Sequence, residues 1–213
     1  MGVNPSNWRT YLVTQESLSD GRTTPEIVSA AIDGGIDVVQ LREKDRESRE
    51  RYELGLELRD LTAEAGVPLI VNDRIDLAQA IDADGVHVGQ TDLPVSVVRE
   101  LLGPDAIVGC SAWTPELARE AERDGADYLG VGAVYGTSSK TVDPEKDGIG
   151  PEGVAAVADA VSIPVVGIGG ITRENAGAVI ESGAVGVSVI SEITMAPEPT
   201  AATEHLNEVV ANV

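Results

Sequence analysis

The feature that most narrows what this chain can fold into is a short junction that recurs: Gly35-Ile36-Asp37, Ala83-Asp84-Gly85, Gly125-Ala126-Asp127 and Gly183-Ala184-Val185. Each separates a helix-like stretch from an apolar run, so one step of the repeat is one helix and one strand. The alternation holds along the chain. Strands are read at residues 8–14, 36–41, 67–71, 85–88, 106–110, 127–131, 164–168 and 185–189. Helices are read from Thr24 to Gly34, then over 46–65, 73–80, 94–102, from Thr114, over 151–160 and 172–181, with a last one opened by Pro197-Glu198. Thr24-Pro25-Glu26 and Thr114-Pro115-Glu116 carry the same start signal, an N-cap with a first-turn proline and acid. Leu54, Leu58 and Leu61 fall at helical spacing before Gly66 stops the second helix.

The apolar strands are too continuous for a sheet with one wet face, which predicts parallel strands buried on both sides. Eight strand-helix units in 213 residues fit one (β/α)8 TIM-barrel domain over 1–213. An open doubly wound sheet would need a Gly-rich turn after its first strand, and Thr14-Gln15-Glu16-Ser17 is not one. Hydrophobic content of 42% against 24% charged residues is that of a globular chain. With no Phe, the core must be built from Val, Ile, Leu and Ala.

In such barrels the chemistry sits at the C-terminal ends of the strands, and there this chain places polar residues: Gln40, Arg42 and Lys44; Asn72 and Asp73; Gln90 and Asp92; Ser111; then Thr137, Ser138, Ser139 and Lys140. In Gln40-Leu41-Arg42-Glu43-Lys44 every second side chain shares a face if the segment is extended, giving three donors for an anion. Taken singly, Asp73 also fits a helix cap and Asp92 a turn before Pro94. Beside those cations they read as oxygen ligands for a hard cation, Mg²⁺ rather than Zn²⁺. Gly167-Ile168-Gly169-Gly170 after the seventh strand, with Ile190 and Ser191 after the eighth, matches the place where barrels hold a phosphate monoester. His87, between Val86 and Val88, reads as a satisfied barrel histidine, and Cys110 as a small buried apolar residue.

Fifteen Lys and Arg against 36 Asp and Glu give a net charge of −21, and no stretch is basic over more than a few residues, which speaks against nucleic acid as a partner. Distant carboxylates do not prevent anion binding. They are screened beyond about 8 Å at physiological salt, whereas a cation about 4 Å from a phosphate gains on the order of 4 kcal/mol at an effective dielectric near 20. The acidic surface suggests a protein kept soluble in concentrated salt; circular dichroism across a potassium chloride series tests this, and full stability in dilute buffer would contradict it. No apolar run approaches the roughly 18 residues of a membrane span, and residues 1–9 lack a signal-peptide layout, so the expected location is cytoplasmic. The expected partners are small molecules, with no nucleic acid and no membrane, and a homo-oligomer is an admissible assembly.

Six motifs in order, Gln40-Leu41-Arg42-Glu43-Lys44, Val71-Asn72-Asp73-Arg74, Asp84-Gly85-Val86-His87-Val88-Gly89-Gln90 with Asp92, Gly109-Cys110-Ser111, Gly136-Thr137-Ser138-Ser139-Lys140 and Gly167-Ile168-Gly169-Gly170-Ile171, together resemble the thiamine phosphate synthases. The resemblance implies a transferase that joins 4-amino-2-methyl-5-hydroxymethylpyrimidine diphosphate to 4-methyl-5-(2-phosphoethyl)thiazole, or its carboxylated form, releasing pyrophosphate. It implies that residues of the Gln40, Leu41, Arg42, Glu43, Lys44 stretch, with Asn72, Ser111 and Lys140, bind the pyrimidine diphosphate, and that Arg42, Lys44, Ser111 and Lys140 are catalytic. Asp73 and Asp92 would hold Mg²⁺; Thr137, Ser138, Ser139, Gly170, Ile190 and Ser191 would hold the thiazole phosphate. Gln15 departs from the acidic residue common after the first strand. A thiazole tautomerase of similar fold would carry a histidine just after the fifth strand, where this chain has Ser111-Ala112-Trp113. A non-catalytic sensor of thiamine phosphates would not need both carboxylates and both lysines, and a sugar-phosphate epimerase would need paired histidines.

Overall fold

The computed structural model describes residues 4–136 and 148–213. Among them the strands are β1 (Thr10–Val13), β2 (Val38–Leu41), β3 (Leu69–Asn72), β4 (Gly85–Val88), β5 (Ile107–Ser111), β6 (Tyr128–Val131), β7 (Val165–Ile168) and β8 (Gly186–Val189). All neighbouring pairs are parallel and the sheet closes on itself, with Tyr11 of β1 opposite Ser188 of β8. The helices are α1 (Thr24–Asp33), α2 (Ser48–Ala65), α3 (Ile75–Ala80), α4 (Val95–Leu102), α5 (Pro115–Arg123), α6 (Gly150–Ala158), α7 (Ala176–Glu181), α8 (Ser191–Thr194) and α9 (Pro199–Ala211). The (β/α)8 barrel expected from the alternation is the architecture found.

Strand residues are buried on both faces, and their alternation sorts them into two cores. Leu12, Val39, Leu41, Val71 and Val108 face out and pack with the helices. Tyr11, Val13, Val38, Ile70, Tyr128 and Val166 face in, with Trp8 beneath them. Without Phe, three larger rings fill the lower barrel. Trp8 meets Tyr128 edge-on at a centroid distance of 4.9 Å, a favoured geometry for aromatic pairs.

Where the elements differ from the sequence reading, local hydrogen bonding decides. The N-cap of α1 is Thr23, not Thr24, because Glu26 reaches back to the Thr23 N–H at 2.7 Å and completes a capping box. The third helix starts at Ile75 rather than residue 73, since Asp73 is in the left-handed region with φ 61°. The seventh begins at Ala176 because the Asn175 side chain accepts the Thr172 N–H at 2.8 Å and holds a turn there. The one-turn α8 directly after β8 has no periodic signal in the sequence, because four residues are too few to show one.

The repeated junction has a structural meaning. Asp37 accepts the N–H groups of Arg9 and Thr10, Asp84 that of Leu69, and Asp127 that of Val108, at 2.7 to 3.0 Å. Each carboxylate thus ties the start of its own strand to the preceding strand at the N-terminal end of the barrel. Asp84 and Asp127 are further paired with Arg59 and Arg99.

Candidate active site

At the opposite end the strands open onto a cavity of about 470 Å³. Gln40, Arg42, Lys44, Asn72, Asp73, Gln90, Asp92, Ser111 and Ile190 line it, so residues scattered over 150 positions of sequence meet at one mouth. The route by which Lys44 arrives differs from a simple extended segment. Strand β2 ends at Leu41, and Glu43 takes a left-handed φ of 29°, a conformation that costs a non-glycine residue about 1–3 kcal/mol and clusters at functional sites.

Two residues of the expected binding stretch, Leu41 and Glu43, do not reach the cavity. Glu43 is 4% exposed, and its carboxylate accepts from the Glu16 N–H at 3.0 Å and the Thr24 hydroxyl at 2.8 Å. Leu41 alternates outward from Gln40 and packs in the outer core beside Gly55 of α2. Neither side chain lines the cavity. Among the other expected residues, Gly170 and Ser191 lie outside the cavity lining. Ser191 borders a shallower surface hollow with Arg173 and Glu192, whose N–H and carboxylate bond at 3.1 Å and link the loops after β7 and β8. Gly170, at φ 63°, carries no Cβ because one would overlap the Tyr135 carbonyl. Thr137, Ser138, Ser139 and Lys140 lie outside the described residues.

Burial pulls the Arg42 guanidinium below its ordinary value, with Asp73, Asp45 and Glu43 pulling the other way; it stays charged, as arginine does in proteins. A partly desolvated cation of this kind is a strong anion receptor. Its Nη1 donates to the Gln15 amide oxygen at 2.7 Å, so the neutral Gln15 orients the fork without neutralising it. Lys44 Nζ lies 2.6 Å from Asp73. Asp92 accepts the Gly89 N–H at 2.7 Å. Its carboxyl is nonetheless pushed above the usual range, chiefly by burial, then by the neighbouring Asp73 charge, against the Gly89 bond and Lys44.

Two carboxylates pressed together, one of them reluctant to ionise, are what a divalent cation relieves. Among the described residues no cluster of three or more histidine, cysteine or acidic side chains forms. A two-carboxylate donor set suits Mg²⁺, which keeps waters and phosphate oxygens in its shell instead of a full protein cage. Asp73 and Asp92 therefore fit the ion.

Beneath these charged groups lies a polar layer that the sequence did not reveal. Gln40 Nε2 donates to Tyr11 Oη at 2.6 Å, Tyr11 Oη bonds Tyr128 Oη at 2.9 Å, Tyr128 Oη bonds His87 Nδ1 at 3.0 Å, and His87 Nε2 bonds Ser111 Oγ at 3.0 Å. The expectation of a satisfied barrel histidine holds. Burial raises both tyrosine hydroxyls well above their ordinary range, so they remain protonated. Ser188 also faces the cavity, is buried, and its hydroxyl has no hydrogen-bond partner among the described residues. Cys110 is buried and its thiol is raised to about 11, mainly by desolvation, which agrees with an inert apolar role.

The model of the family described as thiamine monophosphate synthase matches residues 10–193. A thiamine-phosphate synthase of Natronomonas pharaonis is 62% identical over 203 residues, covering 95% of each chain. One from Haloarcula marismortui is 63% identical over 205 residues, 96% of this chain and 97% of the relative. Among solved structures, a thiamine phosphate pyrophosphorylase from Pyrococcus furiosus superposes with a TM-score of 0.88 at 40% identity, covering 98% of both chains. With the fold and nearly the whole length in agreement, the chain belongs to the thiamine monophosphate synthase family.

Proposed function

We propose that this protein is a thiamine phosphate synthase, transferring the pyrimidinylmethyl group of 4-amino-2-methyl-5-hydroxymethylpyrimidine diphosphate to the nitrogen of 4-methyl-5-(2-phosphoethyl)thiazole. The products are thiamine monophosphate and pyrophosphate. The observation that carries this reading is the convergence of Arg42, Lys44, Asp73, Asp92 and Ser111 on one cavity in a chain of this family.

The chemistry asks little of the protein in covalent terms. The C–O bond to the diphosphate breaks with its electron pair going to oxygen, and the thiazole nitrogen supplies the pair for the new C–N bond. No proton is removed, so no general base is needed. Mg²⁺ held by Asp73 and Asp92 would supply charge neutralisation on the diphosphate. Arg42 and Lys44 stabilise the negative charge that grows on the leaving oxygen, and Lys140 is assigned to the same task. Lys44, now against Asp73, is within reach of an anion brought to that carboxylate. Ser111 and Asn72 orient the pyrimidine diphosphate, and Gly170, Ile190 and Ser191, with Thr137, Ser138 and Ser139, hold the thiazole phosphate. The adjacency of the loops after β7 and β8 supports that second site. Binding both substrates in one mouth converts a bimolecular capture into a local one.

Purified protein with Mg²⁺ and both substrates, in salt at which it is folded, is expected to form thiamine monophosphate and pyrophosphate in equal amounts. Absence of product under those conditions overturns the assignment.

A further inference from the structure

We propose that His87 and Tyr128 are positioning residues which, with Tyr11 and Gln40, fix the proton direction of a hydrogen-bonded chain ending at Ser111, so that the Ser111 hydroxyl is presented to substrate as a donor. The chain runs from Gln40 on β2 through Tyr11 on β1, Tyr128 on β6 and His87 on β4 to Ser111 on β5. It crosses the barrel floor and joins residues 71 positions apart.

The barrel is built around it. His87 is in register with Gly109, and Gly109 with Tyr128. A Cβ on Gly109 would overlap the Tyr128 ring, so the missing side chain is the gap through which the Tyr128 hydroxyl passes over β5 to reach His87. Gly130, in register with Ser111, does the same for the histidine: a Cβ there would sit 2.8 Å from His87 Cε1. Gln90 fixes the other end, donating to the Ser111 carbonyl at 2.7 Å.

Each hydroxyl has one proton and a neutral imidazole one N–H, so once the Gln40 amide donates to Tyr11 only one arrangement keeps both tyrosine protons inside the chain. With the Gln40 amide donating to Tyr11, Tyr11 donates to Tyr128 and Tyr128 to His87 Nδ1. His87 is then the Nε2–H tautomer and donates to Ser111 Oγ, leaving the Ser111 proton to point away from the histidine, into the cavity. The reverse arrangement puts the proton on Nδ1, makes Ser111 donate to His87 and turns lone pairs toward substrate. The Gln40 amide selects the first, because in the reverse Tyr11 accepts from both Gln40 and Tyr128 and its own proton has no acceptor in the chain. The bonds polarise one another in a low-dielectric interior, so the outward hydroxyl is a stronger donor than an isolated serine.

The link to catalysis rests on the assignment of Ser111 to the pyrimidine diphosphate site; the proton direction does not. Two measurements separate them. In uniformly ¹⁵N-histidine-labelled protein at pH 8 there are two imidazoles, and His205→Gln on the exposed face of α9 identifies the other. The expected spectrum shows His87 with Nε2 protonated and Nδ1 bare. Protonation at Nδ1 overturns the proposal whether or not the protein turns over.

The second measurement is kinetic. Tyr128→Phe keeps the ring and removes one link, and His87→Leu removes both nitrogens; each is expected to lower kcat about tenfold, the scale on which lost outer-shell orientation shows, with a smaller change in KM. His87→Gln, which keeps a donor near the Nε2 position, is expected to recover most of the loss. In a Ser111→Ala background Tyr128→Phe should have no further effect. A full additional tenfold loss there would mean that Tyr128 acts on packing and not through Ser111, and would overturn the link. If wild-type protein forms no product at all, the function proposed above fails, while the tautomer still decides the proton direction.

Discussion

The two ends of this barrel use the same side chain for opposite purposes. At the N-terminal end Asp37, Asp84 and Asp127 each accept backbone N–H groups of the preceding strand, and two of them also face an arginine. At the C-terminal end Asp73 and Asp92 press on each other, Asp73 held by Lys44 and Asp92 by the Gly89 N–H, and the Asp73 charge helps push the Asp92 carboxyl up. A carboxylate matched by fixed donors on a neighbouring strand stabilises the closed sheet; a carboxylate set against another stores an unmet demand for a cation. The lower end is solved when the chain folds, whereas the upper end is completed only by what binds there.

The largest effect that sharpens this contrast is at the top. Asp92→Asn retains an acceptor for the Gly89 N–H and loses the charge that a metal requires. Turnover should fall by about 10²-fold or more, equivalent to roughly 2.7 kcal/mol of transition-state stabilisation. Stability without metal should be unchanged or higher, because the like-charge pair is gone. Steady-state product formation and a thermal melt on the same preparation read both quantities. A melt lowered by several degrees would place Asp92 with the structural carboxylates instead.

The mirror experiment is at the bottom. Asp127→Ala strands the Val108 N–H and takes the carboxylate from Arg99, whose guanidinium keeps the Gly103, Ala106 and Gly125 carbonyls; losing such a charge-assisted partner costs about 1–3 kcal/mol. In a chain of this size that lowers Tm by roughly 2–4 °C per kcal/mol. Since Asp127 is at the far end of its strand from the mouth, kcat should not move. A tenfold drop in kcat with an intact melt would break the division between the ends.

A smaller shift is expected from the cation alone. Mg²⁺ at about ten times its dissociation constant stabilises the folded state by roughly 1.4 kcal/mol, a rise of about 3–5 °C at this chain length. Wild type should show it and Asp92→Asn should not, whereas Asp127→Ala should show it from a lower starting point. An equal rise in all three would mean that the ion acts by screening the −21 surface and not at Asp73 and Asp92.

What the sequence disclosed follows the same division. The junction repeat announced the closed array because three of its four copies carry an aspartate that does the same local job, so the signal is periodic. The position of Asp73 and Asp92 after strands was readable for the same reason. The cradle of Gln40, Arg42 and Lys44 was readable only in outcome: an extended period of two places them together, but the left-handed Glu43 is what turns Lys44 inward. Whether Glu43 faced substrate or the Thr24 hydroxyl was not legible, because its partners lie 19 and 27 positions away. The floor of tyrosines was hidden more deeply. Tyr11 and Tyr128 lie in stretches whose pattern says only strand, and the pairing of Tyr128 with His87 depends on a side chain that is absent, at Gly109. The expected α7 start lies four residues early because the Asn175 side chain accepts the Thr172 N–H and closes a separate turn before the helix.

The smallest effect tests what the lower carboxylates supply, charge or geometry. One oxygen of Asp37, Oδ2, accepts both the Arg9 and the Thr10 N–H, at 2.8 and 3.0 Å. Asp37→Asn keeps a carbonyl oxygen that can occupy the same place and removes only the charge. Hydrogen bonds to charged acceptors are stronger than neutral ones by about 1 kcal/mol, and at this partly exposed position solvent reduces the difference further. The expected loss is therefore below about 1 kcal/mol, a Tm change of no more than about 2–4 °C, with turnover unaffected. If Asp37→Asn proved as costly as Asp127→Ala, the full charge would be what closes the barrel at its lower end.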